Sequence, residues 1–256
     1  MLDNAGSETP ARFAALSALY DAGTIRCFEE LPVRDGWHCL EVGGGGGSIA
    51  EWLAERVGPR GHVLVTDIDP RFLGTTRSNL QIQLHDIVHD PLPEKAFDMV
   101  HARLVLMHLP GREKALQRMI AALKSGGWLV DEEFDSVSLT ADPGLGSGEV
   151  ALKTQVAFSN HLANGGSDRR FGRLLYSLLR RHGLVDVSAE AKMSMWQSGS
   201  PGVSLRRATY KQARSQMIAA GYLTEQEFEQ DMLRLNDPDF LMPSPLMWTV
   251  WGRRAQ

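Results

Sequence analysis

Five consecutive glycines, Gly43 to Gly47, follow an apolar run and precede an amphipathic one, and no other feature narrows the possible folds as much. The run His38-Cys39-Leu40-Glu41-Val42 reads as a short buried strand. Ser48 to Leu53, with Val57 and a closing Gly58, reads as a helix. A turn without Cβ atoms between strand and helix bares backbone N–H groups at a helix N-terminus, where a ligand can approach the main chain. Glycines alone would also fit a slack linker, but the flanking strand and helix argue against that.

The alternation continues along the chain. His62 to Thr66, Leu80 to Leu84, Phe97 to Ala102 and Trp128 to Val130 read as further strands, and Asp69-Pro70 looks like the cap and first position of a helix. Arg112 to Lys124 carries Leu116, Met119, Ile120 and Leu123 on one face and ends at Ser125-Gly126-Gly127, so it reads as a helix. Ahead of the glycines, Ser7 and Pro10 open one helix through Tyr20, and a second through Ile25, Phe28 and Leu31 stops at Pro32. Later stretches read as helices over 150–163, 171–182 and within 204–235, with strands at 185–187 and 247–251. Repeated strand–helix alternation implies a parallel sheet covered on both faces.

A chain of 256 residues is long enough to bury a large core as one domain. Its net charge of −4, with both signs interspersed, supplies no positive field for a polyanion, so nucleic acid is not expected as a partner. The two cysteines, Cys27 and Cys39, cannot build a disulfide framework or a zinc cluster, which points to a reducing compartment. The amino terminus lacks a basic and then apolar leader, and no stretch reaches transmembrane length, so a cytoplasmic location without membrane contact is expected.

Glycines of this kind do not by themselves choose a ligand, because Gly45-x-Gly47-x-x-Ala50 also satisfies a dinucleotide pattern. Asp67, at the end of the second strand, suits ribose hydroxyls in either case. With Glu41, Gly43, Gly45 and Gly47 as an acidic-x-Gly-x-Gly-x-Gly loop, the chain resembles the class I S-adenosylmethionine-dependent methyltransferases. The resemblance runs through Asp67, His85-Asp86-Ile87, Phe97 to Arg103, Leu106 to Pro110 and Leu123 to Trp128, covering about 38 to 135. It implies an α/β, Rossmann-like, doubly wound sheet of seven strands, mostly parallel with the last antiparallel, plus helical N-terminal and inserted cap segments. Residues 1–35, 36–135 and 136–256 would be the N-terminal helices, the cofactor-binding core and the remainder with substrate-cap insertions of a single domain. S-adenosylmethionine would be the cofactor and S-adenosylhomocysteine the by-product. A sulfonium and an ammonium, with no pyrophosphate, suit a loop ringed by carboxylates.

By the same resemblance Glu41, Gly43, Gly44 and Gly45 face the methionine end, Asp67 takes the ribose, and Ile68, Asp86 and Ile87 form the adenine pocket. His101, Ala102 and Arg103 lie near the methionine moiety. For Arg12 and Arg26, surface placement is favoured over a contact to the cofactor carboxylate. Methyl transfer is an in-line displacement that needs a base only when the acceptor must lose its proton early, and His108 and Glu133 are the candidates. The run Asp131, Glu132, Glu133 and Asp135 reads as solvated carboxylates rather than a magnesium site, and no metal is expected.

Specificity would come from the first thirty residues and from about 136–166 and 196–245, whose borders hold Tyr20, Phe158, His161, Met193, Met195, Trp196, Phe240, Met242 and Trp248. Gly166 to Arg173 and Trp251 to Arg254 look like actinobacterial enzymes of secondary metabolism. The expected partner is a small, hydrophobic methyl acceptor, reacting at O, N or activated C, and a homodimer is compatible with the sequence. The rivals are a protein that binds the nucleoside without transferring its methyl and an NAD(P)-dependent oxidoreductase.

Overall fold

The computed structural model describes residues 4–137 and 148–256; residues 1–3 and 138–147, the latter inside the expected 136–166 insertion, lie outside the described residues. β1 (His38–Val42), β2 (His62–Asp67), β3 (Leu80–Leu84), β4 (Phe97–Arg103), β5 (Leu123–Asp135), β6 (Leu184–Lys192) and β9 (Leu246–Arg254) form one sheet in the order β3-β2-β1-β4-β5-β9-β6. β9 runs antiparallel between β5 and β6, and the five first strands are parallel. This is the seven-stranded, Rossmann-like arrangement expected from the sequence.

Period-two alternation assigns the faces. Leu40, Val42, Val100, Ala102 and Leu129 point to one side, where α3 (Arg112–Ala122) and α5 (Phe171–Arg181) bring Leu116, Met119, Leu175 and Leu179. Cys39, Val63, Val65, Met99 and Val130 point to the other, where α1 (Thr9–Glu30) and α2 (Ser48–Val57) bring Phe28 and Leu53. Strands covered on both faces carry near-continuous apolar runs, which is why β1, β2 and β4 stand out in the sequence. Both cysteines are free and buried.

A third apolar cluster lies beside the sheet. The first half of α1 packs there with α4 (Gly148–Asn164), α6 (Pro201–Ala219) and α7 (Glu225–Arg234) through Ala15, Ala157, Tyr210, Met217, Phe228 and Met232. Ser200 caps α6 ahead of Pro201, and Thr224 and Glu227 form a capping box on α7. A small antiparallel pair, β7 (Met195–Gln197) and β8 (Leu241–Pro243), joins this cap. The strand order reverses between β1 and β4, which opens a crevice at the carboxyl ends of the central strands, under the cap.

Several local readings change. The two expected N-terminal helices are one 22-residue helix, with Glu8 rather than Ser7 at its N-cap, because Thr24, Cys27 and Phe28 continue its buried face past Gly23. The helix expected after Asp69 is only a 3-10 turn, Pro70–Phe72; the residues that follow, through Gly74, Thr75, Thr76, Ser78 and Asn79, are weak helix formers. α3 stops at Ala122, and Ser125-Gly126-Gly127 lies inside a 13-residue β5 whose pairing with β4 shifts register there. Ala220 to Thr224 splits the 204–235 region into α6 and α7. No helix among the described residues is long and apolar enough to cross a membrane.

Phe28 is fully buried, with its ring edge-on to that of His101 at 5.0 Å between centroids. Phe28→Ala is expected to lower stability by about 3–5 kcal/mol in urea denaturation. A loss below about 1 kcal/mol would mean that α1 does not lock onto the sheet through this ring.

Candidate functional site

Gly43, Gly45 and Gly47 adopt φ values of 72°, 54° and 84°, in the left-handed region that favours glycine. The amides of Gly43 and Gly44 donate to the Thr66 carbonyl at 2.7 and 3.1 Å, and that of Gly45 donates to Asp67 Oδ2 at 2.9 Å. Asp67 Oδ1 accepts from the Asp69 amide at 2.9 Å, so one carboxylate ties the glycine loop to the end of β2. A Cβ on Gly43 would lie 2.4 Å from Val105 Cγ2, and one on Gly44 2.3 Å from Val65 Cγ2. The loop therefore excludes side chains on steric as well as conformational grounds.

Above the loop is a cavity of about 340 Å³. Its sheet-side wall holds Glu41, the glycine loop, Asp67, Ile68, Asp86, Ile87 and Arg103; its cap-side wall holds Phe158, Trp196, Arg206 and Tyr210. Ile68 leaves 59% of its surface exposed, an apolar side chain presented to the cavity. The Asp86 carboxylate caps its own turn, accepting from Val88 N at 2.8 Å and lying 2.8 Å from His89 Nδ1. The His89 hydrogen bond leads in holding it below the usual carboxylate range.

Beneath the cavity floor the pleat that separates the two cores brings Glu41, His101 and Glu132 to one face. His101 Nδ1 donates to Glu41 Oε2 at 2.6 Å and its Nε2 to Glu132 Oε2 at 3.3 Å. Glu132 also accepts from Thr249 Oγ1 at 2.7 Å and from Thr24, and Arg103 donates to Thr24 Oγ1 at 2.9 Å and to Asp21 Oδ1 at 2.7 Å. Burial alone would lower the pKa of His101; the two carboxylates outweigh it and raise the value to about 9, so the ring is an imidazolium. Glu132, buried as deeply, is held below its ordinary value by the His101 hydrogen bond and charge.

Asp131 and Glu133 point to the opposite face. The pleat thus sets Glu132 apart from its neighbours in the run. The run is not solvated as expected: Asp131, Glu132, Glu133 and Asp135 are all buried. Burial raises Asp131 to about 8 and Glu133 well above its ordinary value. Glu133 Oε1 accepts from the amides of Val105, Leu106 and Met107 at 3.1, 2.5 and 3.2 Å, capping the 3-10 turn Leu106–His108. It is absent from the cavity wall, so the structure gives it the turn rather than an acceptor. His108, on that turn, does line the cavity, 3.3 Å from Ser167 Oγ through Nδ1. Burial, then Arg12 and Arg112, lowers its pKa to about 4.

Of the expected cofactor residues, Glu41, Gly43, Gly44, Gly45, Asp67, Ile68, Asp86, Ile87 and Arg103 meet on the wall. His101 and Ala102 lie below it, fully buried. Arg103 is already engaged by α1. Arg12, read as a surface residue, lines the cavity beside Phe13; its Nη2 donates to Asn4 Oδ1 at 2.9 Å, and its guanidinium pKa is lowered by burial, partly offset by Asp67. Arg26 stays exposed, paired with Glu30 and Glu190. Of the aromatic and methionine residues expected in the cap, Phe158, Trp196 and Met242 line the cavity, whereas Met193 and Met195 are exposed. Arg169, in the turn before α5, and Arg206, on α6, were missed as wall residues, because nothing local to either segment marks which arginine packs inward.

Residues 40–131 match the family described as a methyltransferase domain. The ubiquinone/menaquinone biosynthesis C-methyltransferase UbiE of Bordetella avium is 31% identical over 145 residues, covering 52% of this chain and 57% of that protein. The chain thus spans little more than half the length of that curated relative. Among solved structures, phosphoethanolamine N-methyltransferase 2 of Haemonchus contortus, in complex with phosphomonomethylethanolamine and S-adenosylhomocysteine, superposes with a TM-score of 0.61 at 13% identity, over 98% of this chain and 58% of that one. The [4+2]-cyclase SpnF superposes with a TM-score of 0.53 at 16% identity, over 92% and 81%. At these identities the likeness is one of fold.

The buried network sets the pH dependence of stability. His101 is raised from 6.5 to about 9, so its contribution is complete below about pH 6.5 and lost as pH rises through 9. Asp131, raised to about 8, acts in the same direction, its charged form costing stability from about pH 4 upward. Denaturation is therefore expected to show stability falling between pH 6.5 and 9 by on the order of 5 kcal/mol, most of it from His101. Asp131→Asn should flatten the part between pH 4 and 8 and keep the alkaline limb. A wild-type profile flat from pH 6.5 to 9 would rule out an imidazolium at His101.

Proposed function

We propose that this chain, whose core is a class I methyltransferase domain of Rossmann-like fold, transfers a methyl group from S-adenosylmethionine to a small molecule. The observation that carries the reading is the glycine cradle pinned by Asp67, closed to any Cβ at Gly43 and Gly44 and bordered by the carboxylates of Glu41, Asp67 and Asp86. The residues fit the cofactor: Gly43 to Gly45 and Glu41 for the methionine end, Asp67 for the ribose, Ile68 as an apolar lid on adenine, and Asp86 and Ile87 at its edge. Arg12 is the cation on this wall suited to the methionine carboxylate. When bound, the cofactor supplies an electrophilic methyl on a sulfonium centre.

The work of the chain's own residues is alignment and exclusion of water. Phe158, Leu162, Trp196, Tyr210 and Met242 give the acceptor an apolar enclosure opposite the glycine loop, in keeping with a hydrophobic acceptor reacting at O, N or activated C. His108 is the base candidate on the wall and Glu133 a positioning residue that holds its turn. A second reading rests on His108 itself, because a ring held near pKa 4 is a weak base. That suits a protein that binds the nucleoside without moving its methyl.

Two measurements test these readings. Asp67→Ala is expected to weaken S-adenosylhomocysteine binding by about 1–3 kcal/mol in calorimetric titration, with circular dichroism reporting the fold. Unchanged affinity removes Asp67 from the site. Incubation with S-adenosylmethionine and a pool of small acceptors should yield S-adenosylhomocysteine by mass spectrometry; acceptor turnover with the cofactor left methylated favours the second reading.

A further inference from the structure

Among the described residues, the cavity carries carboxylates at one end, where Arg12 and Arg103 stand beside them, and guanidinium groups without carboxylates on the wall at the other. Its wall carboxylates, Glu41, Asp67 and Asp86, come from β1, β2 and the turn after β3. Among the described residues the cap half contributes no carboxylate to the wall, and it contributes two guanidinium groups, Arg169 and Arg206. Arg206 is 6% exposed. It donates through Nη1 to Tyr210 Oη at 3.0 Å and through Nη2 to Asp231 Oδ2 at 2.9 Å, while its Nε has no hydrogen-bond partner among the described residues. Asp231 also accepts from Arg234 at 2.7 Å, so one buried carboxylate is shared by two guanidinium groups. Arg169 is held by Ser136, through its carbonyl at 3.0 Å and its Oγ at 3.2 Å, and has no ion pair among the described residues.

Beside these cations is an aromatic cluster, and the Arg206 guanidinium lies over the Tyr210 ring, 4.2 Å from its centroid. Phe158 and Tyr210 stack at 4.5 Å between centroids with 26° between ring planes, and Trp196, buried next to them, has an indole N–H without a partner among the described residues. Buried cations and donors left short of acceptors are costly, and a ligand that brings negative charge relieves that cost. A neutral hydrocarbon would not.

We propose that the cap end of the cavity binds a planar organic anion, an aromatic or enolic acid, with its ring along Phe158 and Tyr210 and its acidic group held by Arg169 and Arg206. The proposal rests on the methyl-transfer reading only in making this anion the acceptor. Its acidic group is the anchor at the cap end, and a second atom nearer the glycine loop, such as a ring hydroxyl, meets the methyl. That atom's electron pair forms the bond to the methyl carbon, the methyl–sulfur pair stays on sulfur, and the hydroxyl proton leaves to His108 or to solvent.

The test is calorimetric titration of the full chain with 1-hydroxy-2-naphthoate and its uncharged match 1-hydroxy-2-naphthamide, with and without saturating S-adenosylhomocysteine. The anion is expected to bind at least ten-fold tighter than the amide. Arg169→Gln and Arg206→Gln should each cost the anion five-fold or more while changing amide affinity less than two-fold. Arg206→Gln leaves Asp231 short of a partner, so melting curves accompany it, and the half-buried Arg169→Gln carries the test if that variant does not fold. Equal affinities, a preference for the amide, no binding of either probe at millimolar concentration, or indifference to Arg169→Gln overturns the proposal. Failure of S-adenosylhomocysteine to bind sinks the methyl-transfer reading instead, and the anion preference measured without it still decides this one.

Discussion

A protonated imidazole buried between two carboxylates, Glu41–His101–Glu132, is the interaction around which the rest of this molecule is arranged. It joins β1, β4 and β5 on one face of the sheet, and Thr24 and Thr249 extend it to α1 and β9. Charges out of water are tolerable only when each is paired, and removing one partner of such a set costs roughly 3–5 kcal/mol because the others are left uncompensated. The network therefore fixes the seat of α1 on the sheet as well as the position of Glu41 at the cavity floor. Arg103 completes the link by tying β4 to Asp21 and Thr24.

The same pleat gives the opposite face its own use of acid. Glu133 gathers three successive amides of the turn that carries His108, so a residue resembling a catalytic base in the sequence acts through the backbone it holds. Leu104, next to this turn, has φ of 57° and donates its amide to the Glu132 carbonyl at 2.8 Å. A non-glycine residue in that conformation persists where its surroundings over-determine it, and here the buried carboxylates on both sides of β5 do so. The cavity edge is thus held by groups that never reach the cavity.

Above the sheet the charge pattern reverses. Among the described residues, carboxylates line the wall only around the glycine cradle, with Arg12 and Arg103 beside them, and the charged groups on the cap side are guanidiniums near the rings of Phe158 and Tyr210. A cationic ligand end and an anionic one would each be favoured at a different end of one cavity, which orders two ligands without any moving part. The lowered pKa of His108 follows first from its burial and then from the charges of Arg12 and Arg112.

The sequence by itself determined the parallel sheet, the glycine cradle and the acidic positions around it, because strand burial on two faces, missing Cβ atoms and strand-end carboxylates are local patterns with fixed spacing. Ile68, Asp86 and Ile87 were named through the family resemblance, and they lie one, two and three residues past the ends of β2 and β3. The tertiary structure alone decided that His101 is a buried imidazolium, that Glu132 and Glu133 serve opposite faces, and that Arg12, Arg169 and Arg206 turn inward. Those outcomes depend on which distant segment supplies a partner or takes water away, and pairings such as Glu132 with Thr24 and Arg206 with Asp231 join residues 108 and 25 positions apart. No periodicity along the chain encodes them.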